Sequence, residues 1–367
     1  MTYFDGKRIL VTGACGTVGS EIVRLLLVDE SYQPEEVVGV DNRESELFFL
    51  DHQYLNERRA TFSLADVRDA SELKRIMDGV DVVFHTAALK HVVLCERSPL
   101  EAIQTNIHGV QNVIQAAIEQ GVSKVIFTSS DKAVNPTNVM GTSKLMGERL
   151  MTAANSNQRG GGAVFASTRF GNVMGSSGSV VPIFRRQIEK GGPITLTDPE
   201  MSRFVMSVEE AVRLVVDSAC IAKGGEVFIT KMPVINIKDL AVVMIAELAS
   251  EYGYHESDIE IVTIGTKPGE KLYEELMSNE ETRRAKELQR YFSVLPAFSG
   301  LYRNIHYNYS DVVSSEVDNA YVSSSEAKLS LPEIKDFLYK NKLLSRSLEQ
   351  KKHPDRRYWP GDKEEEK

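Results

Sequence analysis

The sequence predicts an α/β protein, built on a doubly wound parallel sheet with a smaller, discontinuous α/β domain. Three observations predict it: six short apolar runs rich in β-branched residues, helical patterns between them, and a glycine-rich turn after the first run. Strands that alternate with helices form parallel sheets covered on both faces. Right-handed crossovers make such a sheet doubly wound, with its ligand site at the carboxyl ends of the strands.

The predicted strands are the apolar runs themselves. They are Arg8–Thr12, Val37–Asp41, Ala60–Asp66, Asp81–Ala87, Lys124–Ser129 and Ala163–Thr168. The clearest helix covers Leu100–Gln120, where apolar residues recur at helical spacing and Gly121 provides a stop. Further along, the patterns predict helices at Val208–Ala222 and Ile237–Tyr252, and strands at Glu226–Thr230 and Ile259–Ile264.

The pattern changes near residue 175, which predicts two domains. We assign residues 1–175 and about 205–235 to the first domain, and about 176–204 and 236–340 to the smaller one. The end of the chain, 351–367, is rich in charged residues and contains two prolines, so we expect a tail on the surface.

Composition narrows the class of protein. The 367 residues are 42% hydrophobic and 26% charged, as in soluble globular proteins, and the net charge of −9 offers no basic surface to nucleic acid or membrane. Cys15, Cys95 and Cys220 are scattered and odd in number, without disulfide or metal-site spacing. No apolar run approaches the roughly 20 residues of a membrane span. We therefore expect a cytoplasmic protein without a metal, a signal peptide, a nucleic-acid partner or a membrane partner.

The glycine-rich turn is the first functional motif. Residues 12–19 read Thr-Gly-Ala-Cys-Gly-Thr-Val-Gly, directly after the first strand and at the start of a helix. Glycines at this spacing let the backbone approach a pyrophosphate, and the helix N-terminus offers free N–H groups to it. The motif predicts a dinucleotide site that includes Thr12, Gly13, Gly16, Thr17, Val18 and Gly19; an ordinary glycine turn is the alternative.

Two acidic strand ends refine the dinucleotide prediction. Asp41 ends the second strand, where a carboxylate accepts hydrogen bonds from the adenosine ribose, which favours NAD. Arg43 leaves NADP possible, because it could meet a 2′-phosphate. Asp66 and Val67 end the third strand and are predicted to reach the adenine. The alternative for Asp41 is a solvated turn residue.

Several motifs resemble the extended short-chain dehydrogenase/reductase family. Within it, the chain is similar to nucleoside-diphosphate-N-acetylglucosamine 4,6-dehydratases of polysaccharide biosynthesis over about residues 5–335. The residues that carry the resemblance are the glycine spacing, Asp66-Val67, Ala87-Ala88, Asn106, and the segments 87–92 (AALKHV), 129–144 (SSDKAVNPTNVMGTSK), 169–175 (RFGNVMG), 178–182 (GSVVP), 197–204 (TDPEMSRF) and 267–272 (KPGEKL).

The resemblance implies a fold, a cofactor and an assembly. It implies that the first domain is a Rossmann domain that binds NAD(P), with Ala87, Ala88, Asn106 and Lys144 among the contacts. It implies that the smaller domain binds a nucleotide sugar, UDP-N-acetylglucosamine above all. It further implies a homo-oligomer, either a dimer or a hexamer.

One position departs from the general family motif Y-x-x-x-K. Met140 stands at the tyrosine position, four residues before Lys144. Methionine cannot transfer a proton, which argues against an alcohol dehydrogenase or a 4-epimerase, since both depend on that tyrosine. A similar replacement occurs in one branch of the dehydratases. Met140 is expected to pack over the nicotinamide or the sugar, or to be an ordinary core methionine.

A 4,6-dehydration oxidises C4 of the sugar, eliminates water across C5 and C6, and reduces C6, so it needs an acid and a base. We assign Asp131 as the acid toward the C6 hydroxyl and Lys132 as the base at C5. Ser130 is the nearest hydroxyl for the C4 proton, with Asp131 as the competing candidate, and Lys144 is expected to hold the ribose. A helix-capping turn is the alternative for residues 130–132.

The substrate diphosphate requires nearby cations and donors. The resemblance assigns Asn172 and Val180 to the substrate, Arg203 and Lys267 to its phosphates, Glu270 to its ribose and Lys90 to the sugar or a phosphate. Surface salt bridges are the alternative for each charged residue. The motifs at 197–204 and 267–272 favour inversion at C5.

Two other functions stay open at this stage. A nucleotide-sugar 4-epimerase or reductase is one, and a catalytically silent NAD(P)-binding sensor is the other. The nucleotide is also open between uridine and guanosine.

Overall fold

The structure is a computed structural model, which describes residues 2–156, 162–175, 179–265, 271–298 and 305–344. The predicted tail at 351–367 lies outside the described residues, as do Lys267 and Glu270. The described part of the chain contains seventeen strands and twelve α-helices.

The strands are β1 (Arg8–Thr12), β2 (Glu36–Asp41), β3 (Ala60–Leu64), β4 (Val82–His85), β5 (Lys124–Ser130), β6 (Val164–Phe170), β7 (Asn172–Val173), β8 (Ile194–Leu196), β9 (Ser202–Met206), β10 (Val227–Thr230), β11 (Val234–Asn236), β12 (Ile261–Thr263), β13 (Glu275–Met277), β14 (Ala285–Leu288), β15 (Tyr291–Val294), β16 (Val312–Ser314) and β17 (Tyr321–Val322).

The helices are α1 (Thr17–Val28), α2 (Glu44–Gln53), α3 (Ala70–Ile76), α4 (Val92–Arg97), α5 (Pro99–Ile103), α6 (Gly109–Glu119), α7 (Val139–Ser156), α8 (Val180–Glu189), α9 (Val208–Ile221), α10 (Ile237–Leu248), α11 (Asn279–Thr282) and α12 (Leu331–Lys340). A π-helical turn, Gln104–His108, joins α5 to α6, so the predicted helix 100–120 is continuous but not uniform.

The main sheet has ten strands in the order β16-β14-β15-β10-β6-β5-β4-β1-β2-β3. The seven strands from β10 to β3 are parallel, and helices connect them, which confirms the predicted fold class. The apolar runs form this sheet because both faces are buried: all four residues of β4 and four of the five in β1 are inaccessible to solvent.

One segment differs from the predicted domain division. Strands β14, β15 and β16, which fall in the range that we assigned to the smaller domain, extend the main sheet in antiparallel fashion. Tyr291 and Val294 of β15 pack in the same core as Phe228 of β10. Edge pairing with β10 buries these side chains, and such a long-range pairing leaves no local pattern in the sequence.

The smaller layer has a separate apolar core. Helices α8, α10 and α12 contribute Phe184, Met244 and Ile334, all fully or almost fully buried. A three-stranded sheet, β11-β9-β7, connects this layer to the main sheet, because β7 begins two residues after β6 ends. This connection places the smaller layer beside the carboxyl ends of β5 and β6.

Candidate active site

A cleft of about 700 Å³ opens at the carboxyl ends of β1, β2, β4 and β5. Most of the predicted site residues line it: Gly13, Gly16, Thr17, Val18, Gly19, Asp41, Arg43, Asp66, Val67, Ala87, Ala88, Lys90, Ser130, Asp131, Lys132, Met140, Lys144 and Asn172. The predicted cofactor and catalytic residues therefore share one cavity, as expected for a doubly wound sheet.

The glycine turn allows two close approaches of the backbone. Gly13 has φ +71°, and a Cβ there would lie 2.7 Å from the backbone nitrogen of Ala87. A Cβ on Gly19 would lie 2.2 Å from the carbonyl oxygen of Gly13. Helix α1 begins after Gly16, and no side chain caps its first N–H groups. These groups face the cleft and fit a pyrophosphate.

Asp41 is almost completely buried and accepts four hydrogen bonds. Its Oδ2 accepts from the backbone N–H of Cys15 at 3.0 Å, and both oxygens accept from the Arg43 guanidinium at 3.1 and 3.3 Å. The backbone N–H of Arg43 donates to Oδ1 at 3.1 Å. A carboxylate has about four acceptor positions, so Arg43 occupies those that a ribose would use.

Asp66 is paired in a similar way. Arg68 donates to both of its carboxylate oxygens, and Asn42 donates to Oδ2 at 3.1 Å. The hydrogen bonds from Arg68 lower the pKa of Asp66 to about 2. Asp66 therefore remains an acceptor at every physiological pH, as an adenine contact requires.

Two predicted cofactor residues lie outside the cleft lining. Thr12 is buried, with Oγ1 2.7 Å from Nδ1 of His85. Asn106 lies in the π-helical turn, where its amide bonds both backbone groups of Leu89 and the hydroxyl of Ser143. Both residues support the walls of the cleft in this structure, and a direct cofactor contact by either one stays a prediction.

The predicted catalytic triplet forms a connected cluster at the end of β5. Lys132 Nζ donates to Asp131 at 2.9 and 3.2 Å. The Ser130 hydroxyl donates to Asp131 and accepts from the backbone N–H of Lys132, so it also caps the short 3-10 turn Asp131–Ala133. The capping alternative is therefore correct for Ser130. Asp131 is 3% exposed, whereas the Lys132 side chain is 34% exposed and borders the cleft, and catalytic roles for these two residues stay predictions.

Glu274 completes this cluster, and the sequence analysis missed it. Its carboxylate lies 3.6 Å from Nζ of Lys132, which also pairs with Asp131. It also accepts from Asn172 Nδ2 at 2.7 Å and pairs with Arg203 Nε at 3.2 Å. One signal in the sequence was available: two adjacent glutamates, Glu274 and Glu275, follow the 267–272 motif. Neighbouring residues of a strand point to opposite faces, so one glutamate of such a pair faces the site.

Asp131, Lys132 and Glu274 have different proton affinities because of burial and the charged groups around them. Burial alone would raise the pKa of Asp131, but the charge of Lys132 and the hydrogen bond from Ser130 hold it below its usual value. Burial would lower the pKa of Lys132, but Asp131 and Glu274 raise it to about 12. Burial and then the charge of Asp131 raise the pKa of Glu274 to about 7. In the open cleft, neither Asp131 nor Lys132 has a pKa shifted toward neutrality, whereas the pKa of Glu274 is shifted in that direction.

Lys144 and Met140 lie one turn apart on α7. Lys144 Nζ donates to the carbonyl of Thr128 at 2.8 Å and lies 4.4 Å from the ring centre of Phe127. Burial lowers the pKa of Lys144 to about 8. Met140 is 3% exposed, packs with Cys95 and Ala102, and borders the cleft. It belongs to a small apolar core that forms part of the cleft wall, and its packing over the nicotinamide or the sugar stays a prediction.

The predicted substrate residues divide into two groups. Lys90 and Asn172 line the cleft. Arg203 does not: its guanidinium bonds Glu274, Met201 Sδ and three backbone carbonyls, and so links β9 to the segment before β13. The guanidinium of Arg203 thus has several protein partners in this structure, and its contact with a substrate phosphate stays a prediction. Val180 begins α8, away from the cleft lining.

A buried ion cluster fixes the elements around the site. Arg169 of β6 donates to Glu148 of α7 at 2.6 and 2.9 Å, and to Glu281 of α11 at 3.1 Å. It also donates to the carbonyl of Leu276 in β13 at 2.7 Å. The arginine is 1% exposed. It therefore ties the helix that carries Lys144 and the strand that follows Glu274 to the main sheet.

The polysaccharide biosynthesis protein family matches the chain over residues 9–296. This range covers more than half of the chain and contains the glycine turn, the Asp131–Lys132 pair and Glu274. The chain belongs to this family. The match confirms the resemblance on which the sequence analysis rested.

Three known proteins resemble the chain over most of its length. An uncharacterized membrane protein of Methanocaldococcus jannaschii is 51% identical over 294 residues, 80% of this chain and 87% of that one. The UDP-N-acetylglucosamine 4,6-dehydratase (inverting) of Campylobacter jejuni is 38% identical over 295 residues, 80% and 84% of the two chains. A UDP-glucose 4-epimerase of Rickettsia conorii is 37% identical over 339 residues, 91% and 96% of the two chains.

A solved structure supports the whole architecture. The X-ray structure of Pen from Bacillus thuringiensis superimposes with a TM-score of 0.85 at 40% identity, covering 94% of this chain and all of that one. In the described ranges, no helix is long and apolar enough to cross a bilayer. Across the same ranges, no cluster of three or more His, Cys, Asp or Glu side chains is arranged to bind a metal ion.

Proposed function

We propose that this chain is a nucleotide-sugar 4,6-dehydratase that converts UDP-N-acetylglucosamine to its 4-keto-6-deoxy product with inversion at C5, for the biosynthesis of surface glycans. The observation that carries the proposal is the Asp131–Lys132 ion pair in one cleft with the glycine turn. The inverting dehydratase of Campylobacter jejuni supports the substrate and the stereochemistry.

The cofactor is proposed to be NAD(P). The Gly13–Gly19 turn and the uncapped start of α1 fit its pyrophosphate, and Asp41 and Asp66 fit the adenosine half. Bound in this cleft, NAD(P) supplies the hydride acceptor and donor of the reaction. Lys144, with a lowered pKa and a position bordering the cleft, is proposed to hold the ribose hydroxyls.

Asp131 and Lys132 are proposed to carry the elimination. Lys132 takes the proton from C5, and Asp131 gives a proton to the C6 oxygen, which leaves as water as the C5–C6 double bond forms. This requires Lys132 neutral and Asp131 protonated, the reverse of their state in the open cleft. One proton transfer along their 2.9 Å hydrogen bond interconverts the two states. A sugar that covers Lys132 would exclude water and favour the neutral pair.

Ser130 is proposed to relay the proton of the C4 hydroxyl, because its hydroxyl borders the cleft. It accepts that proton and passes its own proton to a water. Asn172 and Lys90 are proposed to contact the sugar or the diphosphate. Contacts by Val180, Arg203, Lys267 and Glu270 remain predictions from the resemblance.

A homo-oligomer and a cytoplasmic location are also proposed. Val93 and Leu94 of α4 and Leu100 of α5 are 59%, 59% and 72% exposed, which favours self-association through this face. Light scattering of the purified protein will determine the number of subunits.

The test is proton NMR, with mass spectrometry, of the purified protein and UDP-N-acetylglucosamine in deuterated water. Dehydration predicts a product that has lost one water and carries deuterium at C5 with inverted configuration. Unchanged mass with a new configuration at C4 would instead identify an epimerase, which the Rickettsia relative favours and Met140 opposes. Cofactor binding without turnover of any nucleotide sugar would identify a silent sensor.

A further inference from the structure

Glu274 contacts the acid–base pair from the smaller layer. It is 6% exposed and precedes β13, and its backbone is held by Ser323, whose hydroxyl accepts from its N–H at 2.9 Å. The charged groups that face its carboxyl are Asp131 and Lys132 from the 3-10 turn and Arg203 from β9. Asn172 adds a neutral donor.

Two buried carboxyl groups in this cluster meet at one ammonium group. Nζ of Lys132 lies 2.9 Å from Asp131 and 3.6 Å from Glu274, and these two residues are 3% and 6% exposed. Two carboxylates that share a buried site repel each other, which favours a proton on one of them. The cluster therefore favours one proton shared by the two carboxyl groups.

We propose that Glu274 is a positioning residue that shares one proton with Asp131 and thereby controls when Asp131 can act as the acid. This inference rests on the proposed function. When Asp131 gives its proton to the departing C6 oxygen, a water leaves and Asp131 becomes a carboxylate. The proton of Glu274 then moves to Asp131, and the Glu274 carboxylate stays paired with Arg203 at 3.2 Å. The proton from C5 resides on Lys132, so all protons are accounted for.

The raised pKa of Glu274, about 7, agrees with this geometry. A carboxylate whose only role was to bind Arg203 and Asn172 would be ionised at neutral pH, because both of its partners are donors. A proton retained on Glu274 near neutral pH therefore distinguishes a role in proton transfer from a purely structural role.

The first test uses the enzyme without substrate. Infrared difference spectroscopy as a function of pH should show a protonated carboxyl that ionises near pH 7, and Glu274→Gln should remove that signal. Glu275→Gln is the matched control, since Glu275 bonds Asn135 and Lys271 outside the cleft. Asp131→Asn should shift the ionisation to lower pH, because it removes the neighbouring charge. Absence of any such carboxyl from the wild-type signal would overturn the proposal, whether or not Glu274→Gln folds.

The second test is kinetic. Glu274→Gln should lower kcat for dehydration about 10- to 100-fold and abolish the inflection of kcat near neutral pH, while Glu275→Gln changes kcat less than about twofold. An unaltered pH profile in Glu274→Gln would refute the proposal. If wild-type protein does not turn over UDP-N-acetylglucosamine, the proposed function fails, and the spectroscopic test still decides whether the proton is shared.

Discussion

Two buried ion clusters of this protein both combine carboxylates with cations but have different roles. In one, Arg169 lies between Glu148 and Glu281, so that each carboxylate faces the guanidinium. In the other, Lys132 pairs with both Asp131 and Glu274, and Arg203 pairs with Glu274. The first cluster has side chains 1–8% exposed, and the second opens to the cleft through Lys132, which is 34% exposed.

The difference appears in the proton affinities of the carboxyl groups. Burial would raise the pKa of Glu281, but Arg169 outweighs it and lowers that pKa to about 2. The pKa of Glu274 is instead raised to about 7, by burial and by Asp131. A carboxylate enclosed by donors is inert, whereas one that shares its donors with a second carboxylate can exchange a proton near neutral pH. We therefore expect mutations in the two clusters to have opposite consequences.

The largest effect is expected for the open cluster. Asp131→Asn removes the proposed acid and should lower the rate of dehydration about 10²- to 10⁴-fold, while the denaturation midpoint changes little. Product formation from UDP-N-acetylglucosamine measures the rate, and Asp51→Asn, on the exposed side of α2, serves as the control. A variant that retains more than half of the activity would remove Asp131 from the mechanism.

The closed cluster should respond in the opposite way. Arg169→Met leaves two carboxylates buried without their cation and should destabilise the protein by about 3–5 kcal/mol in denaturant unfolding. Arg213→Met is the matched control, because Arg213 is exposed and pairs with Asp29 and Glu209 at 3.3 and 3.1 Å. Its expected cost is about 0–1 kcal/mol. Equal costs for the two variants would contradict the distinction between the clusters.

The pH dependence of stability sharpens the same comparison. The lowered pKa of Glu281 means that its contribution is present above about pH 4.5 and is lost as the pH falls toward about 2. That loss amounts to about 3 kcal/mol and should be absent from Glu281→Gln. Glu274 has the opposite sign, since its raised pKa makes stability fall as the pH rises from about 4.5 to 7. Unfolding midpoints measured across this range will test both, and slopes of the same sign would refute the assignment.

The smallest effect concerns the choice of cofactor. Arg43→Ala would release acceptor positions on Asp41 and remove the cation available to a 2′-phosphate. Affinity should shift from NADP toward NAD by about tenfold, the equivalent of about 1.4 kcal/mol. Binding titrations with both dinucleotides measure the shift, and Arg68→Ala, beside Asp66, controls for loss of positive charge. Unaltered discrimination would mean that Arg43 does not contact the ribose.

Much of the site could be predicted because its residues directly follow strands. The glycine turn, Asp41, Asp66 and the 130–132 triplet each lie at or just after the end of a parallel strand, and such ends meet at one edge of a sheet. Arg203 and Asn106 show the limit of that reasoning. Both occur in motifs that indicate a ligand, yet the structure engages their polar groups with protein partners, because a motif does not reveal which acceptors the fold brings near.

Local spacing and side-chain chemistry were enough to predict the order of strands and helices along the chain, the dinucleotide turn and the replacement of a proton donor by Met140. Two other features emerge only from the folded chain: β14–β16 extend the main sheet, and Glu274 contacts Lys132. Both are contacts between distant segments, and their free energy depends on burial and on the surrounding charges, which exist only once the chain has folded.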